Sequence, residues 1–221
     1  MQPNLPDERP GANGRDNLTR HCLLNYEHNK GKKMNERLLS IEDIWAIPHS
    51  KLPMVVLCNG YTSVFGFMIS LFLKDFWNHA QWLINPRVFA TQWFWFKLAP
   101  VSKKFIGCHS LKLWHNPRWT DEERRILQNA IADRLRLGIW KTRYDILAVI
   151  GEALGTQWSE KGVDFCSEAV ANMLSLVDPE IKKWDRFEKS PTPEELNTWL
   201  KAQKNEDGTP RYEVYGRVQP G

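Results

Sequence analysis

The chain has 221 residues, enough for one full hydrophobic core with material left over for terminal arms. Apolar residues make up 42% of the chain and charged residues 25%, a composition typical of soluble globular proteins. The formal net charge of +4 is too small to indicate a nucleic-acid partner, and the short run Lys30-Gly31-Lys32-Lys33 is more typical of a solvated turn. These numbers argue against nucleic-acid binding as the function.

The cysteines favour free thiols in a reducing environment. Cys22, Cys58, Cys108 and Cys166 form no CxxC pair, and the polar N-terminus does not resemble a secretion signal. We therefore expect a cytoplasmic or virion-associated protein. Histidine neighbours Cys22 and Cys108 directly, but adjacent ligands lack the usual spacing of a zinc site, so we expect no metal and no other cofactor.

Composition divides the chain into three parts. Residues 1–38 are rich in Pro, Asn, Gly, Arg and Asp and carry few aliphatic side chains, which predicts an extended or flexible N-terminal arm. The arm is a candidate docking segment for another subunit. Residues 39–204 carry the apolar patterning of a folded domain, and the polar, turn-rich residues 205–221 are predicted to be a C-terminal tail.

The first half of the domain is predicted to be mostly strands. A short helix begins near Ser40 and ends before Pro48, and a buried strand follows over Met54–Cys58. The twenty residues 54–73 are long and apolar enough to suggest a transmembrane helix, but turn-forming residues at 59–63 interrupt them. We favour a strand, a turn and a short buried helix over a membrane span. Further strands are predicted at 76–84, 88–98 and 104–114, the first two forming a hairpin across residues 85–87.

The second half is predicted to be helical. Thr120 and Thr192 each precede a glutamate by three residues, which is the capping-box pattern that begins a helix. The first of these helices runs to about Leu137 with Gly138 as its C-cap, and the second begins with Pro193 and runs through Leu200. Residues 144–154 and 165–176 are also predicted to be helices.

A cysteine and a histidine are the candidate catalytic pair. Cys166 falls in the first turn of its predicted helix, where the helix dipole favours the thiolate. His79 lies in the extended run 78–84, and an imidazole held beside that thiol would take up its proton and later return it. A buried cysteine and a core histidine with purely structural roles are the alternatives.

Such a pair also needs a group that orients the imidazole and donors for an oxyanion. Gln92 is the first choice for the orienting group, because a hairpin across residues 85–87 brings it roughly level with His79. Gln81 is the second choice, because it shares the face of His79 two residues along the strand. Backbone N–H groups at the start of the cysteine helix are expected to bind the oxyanion, with Tyr61 as a further candidate donor or substrate-binding residue.

This order of elements resembles the circularly permuted, NlpC-type papain-like cysteine hydrolases, which include the YiiX-like and lecithin:retinol acyltransferase-like enzymes. The matching pieces span roughly residues 52–200. They are the opening strand Met54–Cys58 with Gly60, the histidine strand that begins Asn78-His79-Ala80, and the run from Phe165 to Val170 that holds the cysteine. The chain departs from the family at Leu52-Pro53-Met54, where many members have a Gly-Asp pair, and at Gln81-Trp82.

The resemblance implies an α+β fold in which a small antiparallel sheet packs against helices. It also implies Cys166 as nucleophile, His79 as base and a polar third residue near Gln92. The activity implied is that of a thiol hydrolase or acyltransferase acting on a peptide, isopeptide or acyl-ester substrate through an acyl-enzyme, with cleavage of peptide or cell-wall amides as one form. The compact chain resembles bacteriophage or bacterial members. The alternative hypothesis is a catalytically inactive papain-like binding or virion-structural protein.

Overall fold

The computed structural model describes residues 36–60, 76–92, 95–102, 110–138, 142, 166–182 and 191–218, all within one compact unit that spans residues 36–221. Their strands are β1 (Met54–Asn59), β2 (His79–Asn85), β3 (Val88–Gln92), β4 (Phe96–Pro100), β5 (Ser110–His115) and β6 (Glu213–Val218). Their helices are α1 (Ile41–Trp45), α2 (Asp121–Arg136), α3 (Cys166–Leu174), α4 (Pro179–Lys182) and α5 (Pro193–Ala202), with a 3-10 turn at His49–Lys51.

The six strands form one sheet in the order β4-β3-β2-β1-β5-β6, and every neighbouring pair is antiparallel. Helices pack on this sheet, so the predicted α+β class, with an antiparallel sheet against helices, is confirmed. Strand β1 lies at the centre with both faces covered, because every one of its residues is buried. This explains why Met54–Asn59 is a nearly continuous apolar run without alternation.

The strand register assigns each side chain to one of two faces. On the first face, Val55 lies opposite Trp82 on β2 and opposite Trp114 on β5. This face packs against the helices, including Val170 and Leu174 of α3. On the second face, the core cluster joins side chains of the central strands to the segment around α1: Ile44, Ile47, Leu52, Met54, Val56, Leu83, Phe89, Leu111 and Leu113. The sheet thus separates two hydrophobic cores.

The predicted capping boxes begin helices as expected. The Thr120 hydroxyl accepts the Glu123 N–H while the Glu123 carboxylate accepts the Thr120 N–H, and α2 starts at the next residue. Thr192 and Glu195 make the same reciprocal pair at the start of α5. After α2, Gly138 has a φ of +74°, a left-handed conformation that glycine adopts without steric cost.

Two predicted strands differ from the observed ones. The run 88–98 forms two strands instead of one, since β3 and β4 pair with each other and Gln92 lies opposite Phe96. An apolar run does not show where a chain reverses, which is why the sequence pattern missed this turn. The predicted strand 104–114 corresponds to β5, while residues 103–109 lie outside the described part of the chain.

Both ends of the described chain meet at one edge of the sheet. The segment predicted as a C-terminal tail supplies the edge strand β6, which pairs with β5. Residues 37–39 then run beside β6, with Leu39 N–H donating to Arg217 O and Arg217 N–H to Arg37 O, both at 2.8 Å. A Cβ on Gly216 would lie 2.5 Å from Leu39 Cδ1, so glycine permits this close approach. The last residues of the predicted arm therefore pack on the domain, and residues 1–35 lie outside the described chain.

Two further predicted segments fall outside the described residues. These are the short helix expected after the turn at residues 59–63 and the helix expected at residues 144–154. Among the helices that the structure describes, none is both long enough and apolar enough to cross a bilayer.

Candidate active site

Cys166 is the first residue of α3 and is buried. The next residue, Ser167, is also buried, and its hydroxyl donates a hydrogen bond to the carbonyl of Pro191, just before α5. The start of the cysteine helix is therefore tied to the start of α5. The apolar side of α3 packs on the first face of the sheet with Ala80, Trp82 and Ala90.

The start of α5 is in turn tied to the beginning of β2. The Glu194 carboxylate accepts a hydrogen bond from the backbone N–H of Trp77 at 3.4 Å, and its other oxygen accepts one from the Asn197 amide at 3.0 Å. Trp77 is two residues before His79. These contacts link the helix that starts at Cys166, through α5, to the residues just before His79.

His79 is half-buried, and its ring is held by a residue that the sequence reasoning did not select. The Nε2 atom lies 2.7 Å from the hydroxyl oxygen of Thr91, which is fully buried on β3. A hydrogen bond to one ring nitrogen restrains the plane of the ring, and this orienting role is the one that we assigned to Gln92.

Gln92 instead connects the paired strands β3 and β4 to Thr142. Its side chain is buried, and Nε2 donates to the carbonyl of Thr142 at 2.5 Å. The hydroxyl of Thr142 accepts the N–H of Phe96 at 3.1 Å. Gln92 Oε1 is buried without a hydrogen-bond partner among the described residues. The amide thus ties the hairpin to the segment that follows α2 and does not contact His79.

A β-bulge explains why Thr91, and not Gln92, contacts His79. Asn85 lies opposite Val88, but after the irregularity between Leu83 and Asn85 the register has moved by one residue, so that Gln81 lies opposite Thr91. Without the bulge, Gln92 would lie opposite Gln81 and share the face of His79. A shift of one residue exchanges the faces of the following strand, which brings Thr91 to His79 and turns Gln92 to the first face.

Gln81 lies on the same face as His79 but faces a second thiol. Its Nε2 donates to Cys58 Sγ at 3.1 Å, and its Oε1 is buried without a partner in the described part of the chain. Cys58 is the direct cross-strand neighbour of His79 and is buried. Cys58, His79, Gln81 and Thr91 therefore form a polar group that crosses three strands on the second face.

The strand register restricts where the side chains of His79 and Cys166 can meet. His79 belongs to the second face through its pairing with Cys58, whereas α3 packs on the first face. The ring can meet Cys166 only around the end of β2, where His79 is the first strand residue. Tyr61, the candidate oxyanion donor, lies outside the described residues. In the described ranges, no three His, Cys, Asp or Glu side chains are grouped so that they could hold a metal ion.

Comparison with known protein families finds no matching family, and comparison with curated proteins finds no significant relative.

Proposed function

We propose that the chain is a cysteine hydrolase or acyltransferase of the permuted papain-like type, with Cys166 as nucleophile and His79 as base. The substrate class is an amide or ester: a peptide, an isopeptide or an acyl ester. The observation that carries the proposal is the 2.7 Å contact between His79 Nε2 and Thr91 Oγ1. It orients the ring, as a base in a thiol–imidazole pair requires.

The proposed role of Thr91 is to position the imidazole in place of Gln92. Thr91 is fully buried on a central strand pair, so its hydroxyl has few alternative positions. Because Thr91 is itself held in place, its hydrogen bond restricts the rotation of the His79 ring. This lowers the entropy lost when thiol, ring and substrate come together. Gln81 is assigned no catalytic role, because its amide is held by Cys58.

The chemistry follows from these roles. The Cys166 thiolate attacks the substrate carbonyl carbon, a C–S bond forms, and the C–N or C–O bond breaks as the His79 imidazolium gives its proton to the leaving amine or alcohol. Water or an acceptor then attacks the thioester, loses its proton to His79 and releases the thiolate. Backbone N–H groups in the first turn of a helix have no partners within the helix, so those at the start of α3 are suited to hold the oxyanion.

The proposal requires the imidazole to reach the thiol past the end of β2. His79 is half-buried at the first position of its strand, at the end of the sheet. The ties from Ser167 to Pro191 and from Glu194 to Trp77 hold the start of α3 at this end. These contacts support a meeting of the two side chains at the sheet end.

Thiol labelling with iodoacetamide across pH tests the pair, with each cysteine read separately by mass spectrometry. We expect Cys166 to label fastest, with an apparent pKa well below the roughly 8.5 of a free thiol, and we expect His79→Ala to remove that advantage. Cys166→Ala should abolish hydrolysis of amide and ester substrates while the protein remains folded.

Cys58 supplies the matched control, because it is a second buried thiol and the direct strand neighbour of His79. The variant Cys58→Ala should leave the labelling of Cys166 unchanged. If His79→Ala instead slows the labelling of Cys58 and leaves Cys166 unaffected, the assignment of Cys166 to His79 is wrong.

A second candidate function is a binding or virion-structural protein that has a papain-like body without the chemistry. The observation that favours it is the register, which assigns His79 to the face opposite the one that α3 covers. This candidate predicts a Cys166 no more reactive than the other cysteines, at every pH and with or without His79. The same labelling experiment therefore separates the two functions.

A further inference from the structure

A cluster of charged and polar side chains lies on the first face of the sheet, near the end that holds the candidate catalytic residues. Arg217 on β6 and Lys112 on β5 are direct cross-strand neighbours, so two cationic side chains lie side by side. Asn59 on β1 and Ser110 on β5 are also direct neighbours on this face. Like charges directly opposite each other destabilise a sheet unless anions balance them.

Only part of this positive charge is balanced. Lys112 is buried and pairs with the Glu36 carboxylate at 2.7 Å. No ion pair joins Arg217 to a carboxylate among the described residues, and the nearby Glu194 carboxylate is occupied by the Trp77 N–H and the Asn197 amide. Arg217 therefore contributes a positive charge that the described carboxylates do not neutralise.

The Arg217 guanidinium is held in a fixed orientation. Nε donates to Ser110 Oγ at 2.8 Å, and the guanidinium carbon lies 5.2 Å and 5.7 Å from the ring centroids of Phe76 and Trp77. Ring contacts and a bond at Nε leave the two terminal nitrogens as a planar fork, the geometry that binds a carboxylate through two parallel hydrogen bonds. Arg217 is half-buried, so its side chain is partly desolvated.

Asn59 adds an acceptor beside this fork. It is 5% exposed, and its Oδ1 is buried without a hydrogen-bond partner among the described residues. A buried amide oxygen without a partner is costly, and a bound N–H group would satisfy it. The neighbours Asn59 and Ser110, with Arg217 bonded to Ser110, thus present an acceptor and a carboxylate-binding fork side by side.

We propose that this cluster is a subsite for a substrate unit that carries a carboxylate next to an amide N–H, as in a peptide C-terminus or an N-acyl amino acid. Arg217 binds the carboxylate, and Asn59 Oδ1 accepts the N–H. Glu36 neutralises the buried Lys112 ammonium, so Arg217 supplies the positive charge of the subsite. The assignment of this subsite to the substrate rests on the proposed function, because it names the substrate of the same site.

Contacts connect the subsite to the cysteine. Arg217 lies over Trp77, the Trp77 N–H is bound by Glu194 at the start of α5, and Pro191 just before α5 accepts the Ser167 hydroxyl beside Cys166. A ligand anchored at Arg217 would thus lie at the end of the sheet where α3 and α5 begin. This arrangement predicts a preference of Cys166 for reagents that carry a carboxylate.

Iodoacetate and iodoacetamide test the preference directly, because they differ only in carboxylate against neutral amide. The first quantity is the alkylation rate of Cys166 with iodoacetate divided by its rate with iodoacetamide, measured in the native protein. This ratio is then divided by the same ratio in the urea-unfolded chain. We expect this quotient to be about three or more, which is the effect of one partly solvent-screened charge contact. Arg217→Gln should return it to one. Arg217→Lys, which keeps the charge but loses the fork, should give an intermediate value.

Arg125→Gln is the matched control, since it removes one arginine from an exposed ion pair with Glu122 on α2. It should leave the quotient unchanged. A quotient of one in the wild-type protein, with Cys166 still labelled rapidly by iodoacetamide, overturns the subsite and leaves the proposed function intact.

N-acetylglycine tests binding without any reaction at Cys166. It carries the carboxylate and the amide N–H, whereas N-acetylglycinamide lacks the charge and acetate lacks the N–H. At equal ionic strength, N-acetylglycine should raise the Tm of the wild-type and Arg125→Gln proteins more than either control compound does, and should not raise that of Arg217→Gln. Equal Tm shifts from all three compounds would refute the site. A selective shift together with an inert Cys166 would support the binding site and reject the proposed catalysis.

Discussion

At the scale of single residues, the site depends on which side chain meets His79. Thr91 holds Nε2, while Gln92, one residue further along the chain, binds Thr142. The predicted Gln92 lies on the same strand as Thr91, but its side chain points to the other face of the sheet. A bulge between Leu83 and Asn85 decided between the two neighbours, and no local residue signal predicts that irregularity.

The first residue-level prediction concerns Thr91. Thr91→Val keeps the volume of the fully buried side chain but removes the hydroxyl, so the His79 ring loses the hydrogen bond that orients it. We expect the alkylation rate of Cys166 at neutral pH to fall by about tenfold, and its apparent pKa to move toward that of a free thiol. Labelling rates measured across pH give both quantities.

Thr91→Ser is the control for this prediction, because it keeps the hydroxyl at the same position. It should restore most of the wild-type pH profile. A valine variant with the wild-type profile would show that Thr91 has only a packing role.

At the scale of elements, short-range rules account for the helix starts. Thr120 and Thr192 sit at N-cap positions with their glutamates three residues on, and each box forms reciprocal bonds. Capping depends on residues within one turn, so it is readable from sequence. The hairpin of β3 and β4 and the edge strand β6 were missed, because each depends on pairing with a strand that the local pattern does not reveal.

The prediction for an element concerns the cap of α2. Thr120→Ala removes the acceptor for the Glu123 N–H and should lower the free energy of unfolding by about 1 kcal/mol. Thr120→Ser should lose much less, since it keeps the hydroxyl. Urea denaturation with a common m-value measures both changes. Equal stability of the alanine and serine variants would contradict the role of the capping hydroxyl.

At the scale of the whole molecule, stability against acid depends on a buried histidine. Burial, together with the positive charges of Lys51 and Arg124, lowers the pKa of His115 from its usual 6.5 to about 4. Its ring makes an edge contact with Tyr215 at 5.6 Å, beside the Lys51 ammonium. The folded protein therefore holds His115 neutral over a range in which the unfolded chain would bind a proton.

The sign of the pH dependence follows from this lowered pKa. Above pH 6.5 both states are neutral at His115 and the residue adds no penalty, whereas between pH 6.5 and about 4 the unfolded state binds more protons and stability falls. His115→Gln should reduce the loss of unfolding free energy between pH 7 and pH 5. Urea midpoints at these two pH values measure the effect.

His49 provides the control, because it is exposed on the 3-10 turn. His49→Gln should leave the difference between the two midpoints close to that of the wild-type protein. If His115→Gln shows the same loss of stability as the wild-type protein, another group is responsible for the acid sensitivity.

The sequence by itself determined the α+β class, the buried central strand and the capped starts of α2 and α5, because these follow from apolar runs and from contacts within a few residues. It also singled out Cys166 in the first turn of a helix and His79 within a strand. Only the tertiary structure decided that Thr91 holds His79, that β6 closes the sheet and that Arg217 lies over Trp77. Those contacts join residues through strand register and long-range packing, where a shift of one residue exchanges every face.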